Sequence, residues 1–282
     1  MNFTKMHGLG NDFILIDGFK EKLPADLLTT SAKLCDRHFG IGADGLILVL
    51  PSEKADLKMR IINSDGSEAE MCGNGIRCFA RYAYEKGFVN KETFTVETLA
   101  GIMTPRLVFE QNKLMGITVD MGEPVLERSA VPMLGPAGQA INEPLSVLDK
   151  IVYVTALLMG VPHCIVFVDD VSKIAIEKYG PALETHATFP KKTNVHFLEV
   201  LNDREIKMRV WERGAGLTLA CGTGACASLV AAVLNKKTGR KAKVHLPGGT
   251  LIIEWAENNH VYMTGPARNV FSGKVEEKGL FR

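Results

Sequence analysis

Aromatic residues are scarce in this 282-residue chain, at 7% with two tryptophans, and neither sign of charge prevails: 33 Lys and Arg face 32 Asp and Glu. The cations are dispersed, so no basic stripe suggests nucleic acid and no polybasic tail suggests a membrane surface. Long apolar runs are missing as well. None reaches spanning length, and Met1–Met6 lacks a signal peptide's apolar core, so a cytoplasmic protein is expected. Six cysteines in so long a chain do not make the disulfide framework of a small secreted domain. The close pairs, Cys72/Cys78 and Cys221/Cys226, have no short-spaced His beside them, so no metal site is expected. Cys35, Cys78, Cys164 and Cys226 lie among apolar neighbours and read as small buried hydrophobes.

What is present is a repeat. Met71-Cys72-Gly73-Asn74-Gly75 and Ala220-Cys221-Gly222-Thr223-Gly224 share one pattern, and each runs into a helix-forming segment. Nine residues upstream stand Asn63 and Glu212, closing the strand-like runs Leu57–Ile62 and Ile206–Trp211. Asn11 precedes one apolar run, Phe13–Ile16, much as His163 precedes another, Ile165–Val168. The cysteine motifs are offset by 149 positions and these last runs by 152. Three paired features in one order mark a duplicated domain, and two copies of so long a period are not a solenoid.

Short strands punctuated by Gly, Pro, Asn and Asp dominate the rest. Two helices matter. One starts at Gly75, with an apolar stripe of Ile76, Phe79, Ala80 and Ala83, and ends near Gly87. The other, Gly224–Leu234, is apolar nearly all round and exits through Lys236-Lys237-Thr238-Gly239. A helix apolar on every side must be buried on every side. The expected class is therefore α+β: two pseudo-symmetric domains, each a curved mixed β-sheet or barrel wrapped around a central helix. The switch falls near Asp120–Pro124, giving one half at 1–119 with 266–282, carrying Cys72, and another at 120–265, carrying Cys221. Residues 123–149, rich in Pro, Gly and polar side chains, are expected to be irregular.

Two matched thiols suit one chemistry. Inverting a carbon–hydrogen centre takes a base on one face and an acid on the other. A cysteine at the positive end of a helix is expected to have a lowered pKa, and the adjoining N–H groups form an anion site fit for a carboxylate. Charge builds on that carboxylate as the α-proton leaves, so donors aimed there strengthen in the transition state. His163 and Glu212 stand where the first half has Asn11 and Asn63, and either can polarise a thiol or hold a substrate ammonium. Arg213 can clamp a second carboxylate, and Asn11, Asn63 and Asn194 are polar readers of substrate.

The segments Asn63–Cys78, Glu212–Gly216 and Ala220–Gly224 resemble the two active-site segments of diaminopimelate epimerases. The similarity covers essentially the whole chain, including His7–Phe13 and Gly265-Pro266-Ala267. It implies interconversion of LL- and meso-2,6-diaminoheptanedioate in the lysine and cell-wall pathway, with no pyridoxal phosphate and no other cofactor. It also implies two domains closing on the substrate, within a homodimer. By that resemblance Cys72 and Cys221 are the acid/base pair, while Gly73, Asn74, Gly222 and Thr223 hold the reacting carboxylate and amine. Asn11, Asn63, Asn194 and Arg213 would bind chiefly the distal end, with His163 and Glu212 assisting the thiols and the α-ammonium. This chain departs from many members at Val161 (Asn), Gly45 (Gln) and Leu217 (Glu).

Two other readings compete. Proline and hydroxyproline racemases share the Cys-Gly pattern but typically carry His at the position of Asn74, and they need no distal clamp such as Arg213. A non-catalytic anion-binding protein has no need of cysteine in both loops, and neither loop continues into a Walker Lys-Ser/Thr.

Overall fold

The apolar runs at residues 13–16 and 46–49 carry no polar alternation, the pattern of strands covered on both faces. A computed structural model, which describes residues 1–276, pairs them as parallel neighbours in one sheet. The elements run β1 (Asn2–Gly8), β2 (Asn11–Asp17), α1 (Leu27–Cys35), β3 (Gly45–Leu50), β4 (Leu57–Asn63), β5 (Glu68–Ala69) and α2 (Gly73–Glu85). Then come β6 (Val96–Thr98), β7 (Gly101–Met103), β8 (Arg106–Glu110), β9 (Lys113–Asp120), β10 (Ala140–Val147), β11 (Lys150–Met159) and β12 (Val161–Phe167). After a 3-10 turn at Val171–Lys173 follow α3 (Ile176–Glu184), β13 (Asn194–Asn202), β14 (Glu205–Glu212), β15 (Gly216–Thr218) and α4 (Gly222–Leu234). The chain ends with β16 (Lys241–Leu246), β17 (Gly249–Trp255), β18 (Val261–Gly265) and β19 (Arg268–Lys274). It divides into two compact units, Met1–Val119 with the segment from Gly265 onward, and Asp120–Thr264.

In the first unit the strand order is β19-β1-β2-β3-β4-β6-β7. Helix α2 packs on β1 through β4, and α1 packs on β3 and β4. Ile14, Ile16, Leu46, Leu48 and Ile62 join Leu34 and Cys35 of α1 in one cluster. Ile47 and Ile61 point the other way, against Gly75 at the start of α2. The two helices thus account for the unbroken apolar runs. Phe79, fully buried on α2, is the type of side chain whose loss costs about 3–5 kcal/mol.

In the second unit the order is β10-β11-β12-β13-β14-β16-β17-β18, with α4 packed on β11, β12, β13, β16 and β17. The first six pairings repeat those of the first unit: antiparallel, antiparallel, parallel, antiparallel, parallel, antiparallel. Both units are mixed sheets built on one plan around one helix.

Register refines the correspondence. Phe13 pairs with Gly45, and Gly45 with Asn63. His163 pairs with Asn194, and Val195 with Trp211, which sets Asn194 opposite Glu212. Asn63 and Glu212 are therefore equivalent, as expected from the sequence. His163 is not the counterpart of Asn11, however: it matches Phe13, while Asn11 matches Val161, an offset of 150 in place of 152.

Three local expectations need correction. Both central helices begin two residues early, at Gly73 and Gly222, which leaves each cysteine in the N-cap position. Helix α4 is closed by Lys236 at φ +56, with Lys237 N–H bonding to Ala232 C=O, and Gly239 lies beyond the turn. Residues 140–147, expected to be irregular, form β10; its Pro144 is tolerated because the strand lies at the end of the order given for its unit, where a missing N–H breaks no inner ladder. Among the described residues no helix is long and apolar enough to cross a membrane.

Candidate active site

Each unit holds one thiol in the same setting. Cys72 caps α2 with φ −139° and ψ 121°, and Cys221 caps α4 with φ −133° and ψ 110°. Sulfur is a weak acceptor at such a cap, and Cys72 Sγ makes no capping hydrogen bond. A Ser, Thr, Asp or Asn there would contribute about 1 kcal/mol, so helix stability does not account for cysteine at both caps. The extended cap turns the next N–H groups, Gly73 to Gly75 and Gly222 to Gly224, toward the end of each helix, beside the sulfur.

In the first unit, Asn11 starts β2 directly after a two-residue turn in which Leu9 and Gly10 have φ of +59 and +91. Its Oδ1 accepts from Cys72 Sγ at 3.7 Å and from Asn74 Nδ2 at 3.0 Å, and its Nδ2 donates to Asp44 Oδ2 at 2.7 Å. Arg77, wholly buried, donates to Asn74 Oδ1 at 2.9 Å and to Gly73 C=O at 3.0 Å. Gly8 packs closely beside it: a Cβ there would lie 3.0 Å from Arg77 Nη2. Asn63 ends β4 in a turn and donates to Ser67 Oγ at 2.9 Å. Asn11, Cys72, Gly73 and Asn74 are thus brought together, while Asn63 stands at the end of β4 and bonds within its own turn.

In the second unit Cys221 is buried, with Thr223 Oγ1 3.6 Å from its sulfur. Glu212 ends β14 and accepts from Thr218 Oγ1 at 2.5 Å. Burial pushes the Cys221 thiol well up, and the Glu212 charge pushes it further; bonds from Thr223 and the Gly224 N–H pull the other way without prevailing. The lowered thiol pKa expected for a helix N-terminus is therefore reversed at Cys221, because desolvation outweighs the helix donors. Cys221 rests as a thiol, with the Glu212 carboxyl beside it.

Asn194 is nearly enclosed, accepting from Arg213 N–H at 2.8 Å and donating to Pro162 C=O at 3.3 Å. It holds the Arg213 backbone, and the exposed Arg213 side chain donates to Lys191 C=O at 3.1 Å. His163 is fully buried, its Nδ1 2.8 Å from His196 Nε2. Burial pushes His163 down to about 3, with the Arg213 charge adding to it, so it is a neutral imidazole. His196 lies against Gly224, where a Cβ would sit 2.2 Å from its Cε1.

Sequence reading missed Asp44, Arg77 and His196. Their common signal is a charged or titratable residue inside an apolar context: Arg77 beside the α2 stripe, Asp44 before an apolar strand, His196 within one. No group of three or more His, Cys, Asp or Glu among the described residues is placed to hold a metal ion.

A family model described as diaminopimelate epimerase matches residues 3–127 and 155–270. The diaminopimelate epimerase of Pelotomaculum thermopropionicum is 58% identical over 275 residues, covering 97% of this chain and 98% of that one. That of Heliobacterium modesticaldum is 56% identical over 279 residues, covering 98% and 99%. Among solved structures, a Bacillus anthracis phenazine biosynthesis protein of the PhzF family superposes with a TM-score of 0.71 at 17% identity, covering 98% of this chain and 99% of that one. A hydroxyproline epimerase from Agrobacterium vitis with bound trans-4-hydroxy-L-proline gives 0.67 at 15% identity, covering 99% and 93%. At such identity these two share the fold alone.

Proposed function

Since the chain belongs to the diaminopimelate epimerase family, a family of isomerases working without pyridoxal phosphate, we propose that Cys72 and Cys221 carry out the two proton transfers that epimerise LL-2,6-diaminoheptanedioate to its meso form. The observation that carries this reading is the occurrence of cysteine at the N-cap of both central helices, at equivalent points of two units with one strand plan.

The substrate's reacting carboxylate binds the N–H groups of Gly73, Asn74, Gly222 and Thr223. These donors gain strength as the enediolate-like charge grows, and one well-placed donor of this kind is worth about 3–4 kcal/mol. One sulfur, as thiolate, removes the α-proton, and the opposite thiol delivers a proton to the other face. Positioned acid and base groups of this sort contribute on the order of 10²–10⁴ in rate. Glu212 takes the Cys221 proton when that sulfur must act as base, and its other carboxyl oxygen accepts a hydrogen bond from the substrate ammonium. His163, neutral and enclosed, acts through the lining of the same unit. Asn11, Asn63, Asn194 and Arg213 read the rest of the substrate; Arg213, exposed on a backbone pinned by Asn194, suits the distal carboxylate.

The two units serve as the two halves of one epimerase, in a cytoplasmic homodimer that supplies lysine and peptidoglycan precursors. What supports these last points is the family resemblance. The test of the reaction is NMR of LL-diaminopimelate with purified protein in D2O beside an L-proline control. Meso product with deuterium at one α-carbon and inert proline is the expected result. Exchange on proline alone, or on neither from reduced protein, would overturn it.

A further inference from the structure

Two amides of the first unit are oriented from opposite ends by groups that can bond in only one sense. A carboxylate accepts and cannot donate; a guanidinium donates and cannot accept. Asp44 accepts from Asn11 Nδ2 at 2.7 Å and from the Asp12 N–H at 3.1 Å through the same oxygen. Its other oxygen accepts from Arg37 at 2.7 Å. The amide of Asn11 must therefore turn its nitrogen to Asp44 and its oxygen to Cys72. At the far end the buried Arg77 donates to Asn74 Oδ1 at 2.9 Å, so Asn74 turns its nitrogen to Asn11 Oδ1, at 3.0 Å. The two ends agree: neither amide can flip without setting like groups face to face.

We propose that Asp44 and Arg77 are positioning residues that polarise this relay, so that Cys72 always meets a carbonyl oxygen and its sulfur is held as S–H. The inference rests on Cys72 being a reacting thiol. Hydrogen bonding from S–H to Asn11 Oδ1 exists for the thiol and not for the thiolate, so it opposes the donors at the start of α2. Cys72 thereby starts each turnover from a set protonation state, which a freely rotating amide would not provide.

The discriminating variant is Asp44→Asn, nearly isosteric at a side chain that is 42% exposed. With a neutral amide at position 44, Asn11 can rotate and offer its N–H to the sulfur. The readout is the pH profile of iodoacetamide labelling of the Cys72 peptide in full-length protein, followed by mass spectrometry, beside kcat and KM. We expect the labelling midpoint to move down by about one pH unit, kcat to fall roughly tenfold, and KM to change far less. Asp44→Glu, still an acceptor only, should restore the parental midpoint. Asp44→Ser is read in the same way should the amide variant fold poorly.

Arg37→Gln separates the relay from plain charge. It removes the opposite charge next to Asp44 without touching Asn11, and the proposal expects the Cys72 midpoint to stay put. A midpoint unmoved in Asp44→Asn, or moved up in Arg37→Gln by as much as it moves down in Asp44→Asn, would overturn the relay. Full activity in Cys72→Ser would instead remove the thiol mechanism itself. An inactive Cys72→Ser alongside a parental Asp44→Asn profile would leave that mechanism standing and discard only the relay.

Discussion

His163 Nδ1 lies 2.8 Å from His196 Nε2 with both rings fully enclosed, so one hydrogen is shared between facing nitrogens and both rings cannot be imidazolium at once. Burial holds His163 down to about 3 and His196 well below its ordinary 6.5. The folded state thus binds fewer protons here than the unfolded chain. The resulting stability is complete above pH 6.5 and lost as the pH falls from there toward 3, at up to about 1.4 kcal/mol per pH unit for each ring. Urea midpoints taken from pH 7 to pH 4 should show this slope in the parent. In His196→Gln the slope should fall by about one proton's worth.

At Cys221 the sign runs the other way for the thiol. Burial and then the Glu212 charge raise it, so Glu212→Gln should lower the pH at which Cys221 is alkylated. The same variant loses the group proposed to take the Cys221 proton, and kcat should drop on the order of 10²-fold. Faster alkylation combined with slower turnover is the expected signature, read by peptide mass spectrometry and by the NMR assay.

Gly224 touches His196 closely enough that no Cβ fits, at 2.2 Å from the ring. Gly224→Ala should destabilise by about 1–3 kcal/mol through overpacking at the start of α4. Thermal unfolding followed by circular dichroism checks it.

Lys236 closes α4 in the left-handed region, which an L side chain enters at a cost of roughly 1–2 kcal/mol. Lys236→Gly should recover part of that, stabilising by about 0.5–1 kcal/mol with activity unchanged. A denaturant titration is the measurement.

Asp12 lies under Lys5 and Arg37. Burial raises its pKa, but the bonds from Arg37 at 2.8 Å and Lys5 at 2.9 Å outweigh it, leaving the carboxyl below its ordinary 3.8. Its stabilisation is present above pH 3.8 and lost as the pH drops through the lower folded value. Asp12→Asn should cost about 1–3 kcal/mol at pH 7. The difference in melting temperature from the parent should shrink between pH 5 and pH 3.

Much of this is legible in the amino-acid order alone. Cysteine in two glycine-flanked loops, each followed by an apolar helix, is a local pattern, and the duplication follows from repeating it in order. The helix starts were misplaced by two residues because Gly73-Asn74 and Gly222-Thr223 are poor helix formers and read as loop. The mismatch of Asn11 with His163 has a different origin. A strand shifted by two keeps every side chain on its face, so offsets of 150 and 152 fit the apolar pattern equally well, and only the hydrogen-bond ladder separates them.

The amino-acid order by itself determined which groups are available: two thiols at helix starts, the carboxylate nine residues before the second, and the family to which the chain belongs. Tertiary structure decided what state those groups are in. The proton rests on Cys221 because burial and Glu212 outweigh the helix donors, and Cys72 meets an oxygen because Asp44 and Arg77, 33 residues apart in sequence, fix two amides between them. Both outcomes depend on distance and solvent exclusion between residues remote in the chain, which no local pattern of side chains encodes.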